Sequence, residues 1–192
     1  MSRIIAGSRG GRRIGMPSGD RTRPTTDRVR EALFSAISAW AQTSERSADQ
    51  ALAGLGFCDL YAGSGAVGLE AASRGADPVL LVEADRRTAA VARRNAADLG
   101  LPTRVQATRV EALVGLSAPT AFDIVFADPP YDVSTDLLDQ HLADLVDRGW
   151  VAERGLVVVE RSRRTPGLSW PAALTERWER RYGETVLYYG AR

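Results

Sequence analysis

The chain has 192 residues, of which 44% are hydrophobic and 26% charged. That size and balance suit one α/β domain and exclude a disordered chain, a collagen-like repeat and a small disulfide scaffold. The net charge of +1 hides a split, with residues 1–30 at +6 and the remainder at −5.

No apolar run approaches the roughly 18–20 residues of a membrane span, and Arg3, Arg9, Arg12 and Arg13 interrupt any signal-peptide core. Cys58 is the only cysteine, so no intrachain disulfide and no zinc-binding cysteine cluster can form. The expected location is the reducing cytoplasm. All 25 basic residues are arginine, whose planar fork suits phosphate and base edges. A basic end on an acidic body fits a polyanion partner, and a solvated tail is the alternative.

Residues 1–24 are rich in Gly, Arg, Ser and Pro, with one short strand expected around Ile4-Ile5 and turns at Gly10-Gly11 and Pro17-Ser18-Gly19. They read as a basic arm. Thr25, Thr26 and Asp27 offer a helix cap, and Val29, Ala32, Leu33, Ala36, Ile37 and Trp40 fall on one helical face behind it. Arg28, Arg30 and Glu31 are read as lying off that stripe, free to face the arm's partner.

From residue 57 the chain alternates strand and helix signals. Strands are expected at 57–61, 78–83, 103–107, 122–127 and 156–160, with helices at 66–74, 86–99 and about 135–146. Such βα repetition calls for a doubly wound, mostly parallel sheet. Residues 177–182 and 185–189, joined by Gly183-Glu184, read as a closing antiparallel hairpin.

Asp59-Leu60-Tyr61-Ala62-Gly63-Ser64-Gly65-Ala66-Val67-Gly68 sets G-x-G-x-x-G between a strand and a helix, the context this motif requires. Glu83 ends the next strand, where a carboxylate can accept both ribose hydroxyls of an adenosine cofactor. A dinucleotide and S-adenosylmethionine both fit that frame. Asp59 separates them, because a carboxylate beside the turn repels a diphosphate and attracts the cationic methionine end of the methyl donor.

The strand at 122–127 runs directly into Asp128-Pro129-Pro130-Tyr131. The prolines stop the strand and hold the chain extended, fixing Asp128 at the carboxyl edge where open α/β sheets bind ligands. An exocyclic nucleobase amine is a poor nucleophile because its lone pair is delocalised into the ring. Asp128 and the Pro129 carbonyl can each accept one amine hydrogen, which aims the lone pair, and Tyr131 can stack on the base. Asp128 also stabilises the positive charge developing on nitrogen. This strand is expected beside the first, so that both motifs meet in one crevice.

Of the residues left over, His141 is read as a surface or packing residue, and Cys58 as packing in the first strand. Trp40, Trp150, Trp170 and Trp178 are read as core or interface.

The motifs Asp59-x-x-x-Gly63-Ser64-Gly65, Glu83 and Asp128-Pro129-Pro130-Tyr131 resemble class I S-adenosylmethionine-dependent methyltransferases acting on nucleobase amines. Arg3-Ile4-Ile5-Ala6-Gly7-x-x-Gly10-Gly11-Arg12, with Thr22-Arg23-Pro24-Thr25-x-Asp27-Arg28-Val29-Arg30-Glu31-Ala32-Leu33-Phe34, narrows the resemblance to the RsmD family. That resemblance implies a Rossmann-like fold with a seven-stranded sheet ending in a hairpin. It also implies methyl transfer to the N2 of one guanine in 16S ribosomal RNA, within an assembling or complete small subunit.

The expected division is a basic RNA-binding arm over residues 1–25 and a methyltransferase domain over 26–192, acting as a monomer. Asp128, Pro129, Pro130 and Tyr131 are the expected catalytic residues. Asp59, Tyr61, Gly63, Ser64, Gly65, Glu83, Ala84 and Asp128 are the expected cofactor contacts, with no metal. Arg9, Arg12, Arg13, Arg21, Arg23, Arg28 and Arg30 are the expected RNA contacts. Near Arg109-Val110-Glu111-Ala112, Glu111 as a contact for the cofactor adenine and a solvated helix start both stay open. The alternatives are an adenine-N6 methyltransferase, a nicotinamide oxidoreductase and a non-catalytic RNA chaperone.

Overall fold

The computed structural model describes residues 2–17 and 26–192. The first elements form a small antiparallel pair, β1 (Ser2–Arg3) and β2 (Arg13–Ile14), around a short 3-10 turn at Gly7–Arg9. Helix α1 (Asp27–Trp40) follows, capped by the Thr26 hydroxyl, which accepts the Val29 N–H. The remaining order is β3 (Phe57–Leu60), α2 (Ala66–Ser73), β4 (Val79–Glu83), α3 (Arg86–Leu99), β5 (Arg104–Ala107), α4 (Val110–Val114), β6 (Phe122–Ala127), α5 (Thr135–Asp147), β7 (Val151–Ser162), β8 (Glu176–Tyr182) and β9 (Thr185–Ala191).

The last seven strands form one sheet in the order β5-β4-β3-β6-β7-β9-β8. Pairings from β5 to β7 are parallel, and β9 runs antiparallel between β7 and β8. The expected doubly wound sheet with a terminal hairpin is therefore what forms.

Strand β7 is longer than expected because a bulge extends it toward its start. Phe122 pairs with Val151 while Ile124 pairs with Leu156, so the four residues 152–155 of β7 stand against the single residue 123 of β6.

Each strand alternates its side chains between two apolar layers. Phe57, Val79, Leu81, Ile124, Phe126 and Val158 pack with α1, α2 and α3 on one face. Cys58, Leu60, Val82, Val125 and Val159 pack with α4 and α5 on the other. Buried large side chains such as Leu33, Phe34 and Ile37 of α1 contribute about 1.5–3 kcal/mol each.

The basic N-terminal segment does not project as an arm over its described part. Ile4 and Ile14 are buried in the first layer. Glu70 of α2, itself fully buried, accepts the N–H groups of Ile5 (2.6 Å) and Ala6 (3.0 Å) and pairs with Arg74 Nε (2.8 Å). Ser73 Oγ accepts the Arg9 N–H and donates to the Ala6 carbonyl. A Cβ on Gly7 would lie 2.0 Å from the Ser73 carbonyl oxygen, so only glycine permits this approach. The expected boundary at residue 25 lies outside the described residues.

Glu70 thus holds two buried backbone donors and one guanidinium. Glu70→Ala should cost about 3–5 kcal/mol, the range for breaking a buried ion pair. Urea denaturation checks this, and a loss below about 1 kcal/mol would show that the hairpin docks by its isoleucines alone.

Candidate active site

Strand β3 pairs with β6 in parallel, Leu60 opposite Ala127, so Tyr61 and Asp128 leave the sheet side by side at its carboxyl edge. Their chains then diverge. Tyr61 leads through the glycine turn into α2 on one face, whereas Asp128 leads through Pro129-Pro130-Tyr131 into α5 on the other. The crevice expected from the two motifs lies between them.

The three glycines of the turn serve different ends. Gly63 has φ +56°, and the space its Cβ would occupy is open to a ligand. Gly65 has φ +83° and caps α2, where a side chain would be strained. A Cβ on Gly68 would lie 2.1 Å from Leu81 Cδ2, so this glycine lets α2 approach β4.

Two carboxylates hold the turn. Glu83 accepts the N–H of Gly63 (2.9 Å) and that of Asp85 (2.8 Å), tying the turn to the end of β4. Asp59, 2% exposed, accepts the Gly68 N–H at 2.8 Å. Burial pushes its carboxyl up to about 7, opposed by the Gly68 hydrogen bond and reinforced by the charge of Glu83. Asp59 therefore lies buried beneath the turn, bonded to the backbone of α2. Ser64 is buried, and its carbonyl accepts from Asn95 Nδ2, which also holds the Gly15 carbonyl. The N-terminal hairpin thereby reaches the glycine turn. Ala84 is exposed at the rim beside Glu83.

At the other side of the crevice, Asp128 is half-buried, Pro129 buried and Pro130 exposed. Tyr131 is 78% exposed, its aromatic ring open to solvent. Arg161 of β7, buried, donates to the Val133 carbonyl (3.0 Å) and supports this loop. Glu111 is exposed in the first turn of α4, with Arg109 at 3.4 Å.

The expected RNA contacts separate. Arg12, Arg13 and Arg28 are exposed. Arg9 is half-buried and donates through Nε to the Leu99 carbonyl at the end of α3. Arg21 and Arg23 lie outside the described residues. Arg30 is a correction: it is fully buried and bonds Asp27 (2.7 Å), the Arg3 carbonyl (2.8 Å) and the Ala66 carbonyl (3.3 Å). It joins α1, the hairpin and α2, and cannot touch RNA. Its spacing of three, four and seven before Leu33, Phe34 and Ile37 places it on the buried stripe, a signal the sequence did contain.

His141 takes the packing place, one of the two expected for it. It is 4% exposed, and its Nδ1 lies 3.1 Å from the Tyr61 hydroxyl. Leu138, Leu142 and Leu145 share its helical face. Among the described residues no cluster of His, Cys, Asp and Glu could hold a metal ion, and no helix is long and apolar enough to cross a membrane.

Asp59 generates a pH dependence. The unfolded chain ionises this group near 4, but the fold resists ionisation until about 7, so its ionisation erodes stability as pH rises between these values. Asp59→Asn keeps an acceptor for Gly68 and removes that cost. The variant's urea midpoint, relative to the unsubstituted chain, should rise from pH 4.5 to pH 7.5. An equal difference at both pH values would contradict the burial argument.

Comparison with known proteins places this architecture. Residues 2–191 match the family described as conserved hypothetical protein 95. The ribosomal RNA small subunit methyltransferase D of Escherichia coli is 36% identical over 160 residues, covering 82% of this chain and 73% of the relative. The solved Escherichia coli protein yhhF superposes with a TM-score of 0.83 at 31% identity, covering 99% of this chain and 97% of that one. At the level of fold alone, a Thermus thermophilus 16S rRNA N2 G1207 methyltransferase, solved with S-adenosylmethionine and guanosine, matches with a TM-score of 0.65 at 18% identity. That match covers 91% of this chain and 44% of the other. With a family match over nearly its whole length and 36% identity to a curated relative over 82% of the chain, the chain belongs to the conserved hypothetical protein 95 family, the RsmD methyltransferases.

Proposed function

We infer that this chain transfers a methyl group from S-adenosylmethionine to the exocyclic N2 of a guanine in 16S ribosomal RNA. The observation that carries the reading is the pairing of β3 with β6, which sets the glycine turn and Asp128-Pro129-Pro130-Tyr131 on opposite sides of one crevice.

The open space over Gly63 and the carboxylates of Glu83 and Asp59 fit the donor. Glu83, now holding the Gly63 N–H, is placed to take the ribose hydroxyls, while Gly63, Ser64, Gly65, Tyr61 and Ala84 line the turn. Asp59 complements the donor's positive end from below. The donor supplies an electrophilic methyl on a sulfonium.

The residues of the other side supply orientation. Asp128 and the Pro129 carbonyl accept the two amine hydrogens, Pro130 keeps the segment extended, and Tyr131 stacks on the base. Transfer is then a direct displacement in line with the carbon–sulfur bond. Asp128 stabilises the charge that grows on nitrogen and can take the proton. Arg12, Arg13 and Arg28 contact phosphates, which positions the substrate without reading its sequence. Arg9, with Arg21 and Arg23, belongs to the same basic end. The substrate is the small subunit, assembling or complete, and the enzyme works as a cytoplasmic monomer.

An adenine-N6 methyltransferase is the second reading, because Asp-Pro-Pro-Tyr grips either amine equally well. The test is transfer of labelled methyl from S-adenosylmethionine to small-subunit RNA by the purified chain, with the modified base identified by mass spectrometry. N2-methylguanine is expected, and N6-methyladenine would replace this reading by the second. Asp128→Ala should abolish transfer while calorimetry still shows donor binding. Loss of both together would place Asp128 in donor binding alone.

Replacing Arg12 and Arg13 with alanine should raise KM for RNA and flatten its salt dependence by about 1.8 in log–log slope, at ~0.9 per phosphate contact in a duplex. An unchanged slope would remove the hairpin from the RNA interface.

A further inference from the structure

Half-buried Tyr61 and buried His141 form a link that the transfer chemistry above does not use. Tyr61 is the residue at which the chain leaves β3, and it has φ +61°, a left-handed conformation that side chains other than glycine rarely adopt. Its backbone opens directly into the donor turn: the Ala62 N–H donates to the Val82 carbonyl, and the Gly65 N–H returns to the Ala62 carbonyl. Its hydroxyl points away from the turn, to His141 Nδ1 at 3.1 Å.

His141 sits on α5, which begins four residues after Tyr131 and is capped by Ser134. The helix and the amine-gripping loop are thus one continuous unit, and Arg161 pins that loop again through the Val133 carbonyl. The Nε2 atom of His141 is buried without a hydrogen-bond partner. A buried polar atom left unpaired is costly, so the ring is retained for its other nitrogen. Burial lowers the basicity of the ring, with Glu111 of α4 and Asp144 of α5 opposing. Arg161 of β7 and Glu111 also face the Tyr61 hydroxyl, whose ionisation is suppressed by burial. The pair is therefore neutral at neutral pH.

We propose that the Tyr61–His141 hydrogen bond sets the width of the crevice, holding the donor turn at a fixed distance from the loop that grips the amine, so that both are positioning residues for methyl transfer. This rests on the methyltransferase reading above. Nothing else named so far bonds the first residue of the donor turn to the helix that carries the Asp-Pro-Pro-Tyr loop. Reacting atoms must approach to about 3–3.5 Å in line, and a misplacement of ~1 Å can cost ~10²-fold in rate. A link between the two walls then acts on the chemical step more than on binding of either substrate.

The experiment is a double-mutant cycle with Tyr61→Phe and His141→Leu, each conserving most of the buried volume. Each substitution should lower kcat about 10- to 100-fold, with KM for RNA and donor affinity changed less than about threefold. The double variant should be no slower than the slower single variant, because one bond is lost in all three. His141→Asn, whose amide can stand where Nδ1 stands, should recover most of kcat, a rescue that a packing role would not give.

If His141→Leu fails to fold, the comparison of Tyr61→Phe with His141→Asn carries the test. Full kcat in Tyr61→Phe, or additive losses in the double variant, would overturn the proposal while the methyltransferase reading stands. An unsubstituted chain that transfers no methyl to any RNA would overturn both.

Discussion

Strands β3 and β6 are hydrogen-bonded neighbours, yet their chains depart to helices on opposite faces of the sheet, and everything functional in this protein follows from that divergence. Two loops that start side by side cannot pack against one another when one must reach α2 and the other α5. That a space opens between them is a consequence of topology, and its width is what the Tyr61–His141 bond is proposed to set. Sequence then decides what the space holds. Glycines keep one wall low enough for a ligand, and prolines keep the other wall extended.

The acids around this crevice are not equivalent. Glu83 is partly exposed and already satisfies a backbone donor of the turn. Asp59 is buried beneath it, spending one oxygen on the Gly68 N–H. Asp128 stands on the opposite wall, half-buried. One acid ties down the rim and another braces the turn from below, while the third is the one proposed to face the nucleophile. The buried Arg30 and Glu70 extend this framework outward by fastening the N-terminal hairpin to α1 and α2. The surface expected to meet RNA and the turn expected to meet the donor are thus parts of one rigid contact, with Asn95 bonding both Gly15 and Ser64.

Much of this was legible in the amino-acid order, for identifiable reasons. Central parallel strands are buried on both faces, so 79–82 and 124–127 stand out as continuous apolar runs, and the glycine turn and the Pro-Pro stop mark where two of the strands end. The closing hairpin was visible through Gly183-Glu184. What escaped was structure built from polar side chains facing inward. The β1–β2 pair is only two residues per strand, too short for a period, and it is held by Glu70, which reads as an ordinary helix-surface acid until something docks on it. Arg30 occupies an apolar stripe at spacings of three and four, yet its charge suggests a solvent-facing residue, and the spacing is the better guide. His141 packs as one of its two expected places allows, and its bond to the Tyr61 hydroxyl is what the sequence does not announce. The extension of β7 back to Val151 depends on a bulge that no alternation of residues announces.

The most direct test is a crystal structure with a non-reactive analogue of S-adenosylmethionine and guanosine bound together. The account predicts the analogue over Gly63 with its ribose on Glu83, and the guanine amine between Asp128 and the Pro129 carbonyl. The atom standing for the methyl should then lie within about 3.5 Å of that amine. An analogue seated away from the glycine turn, or a base whose amine faces away from Asp128, would contradict it.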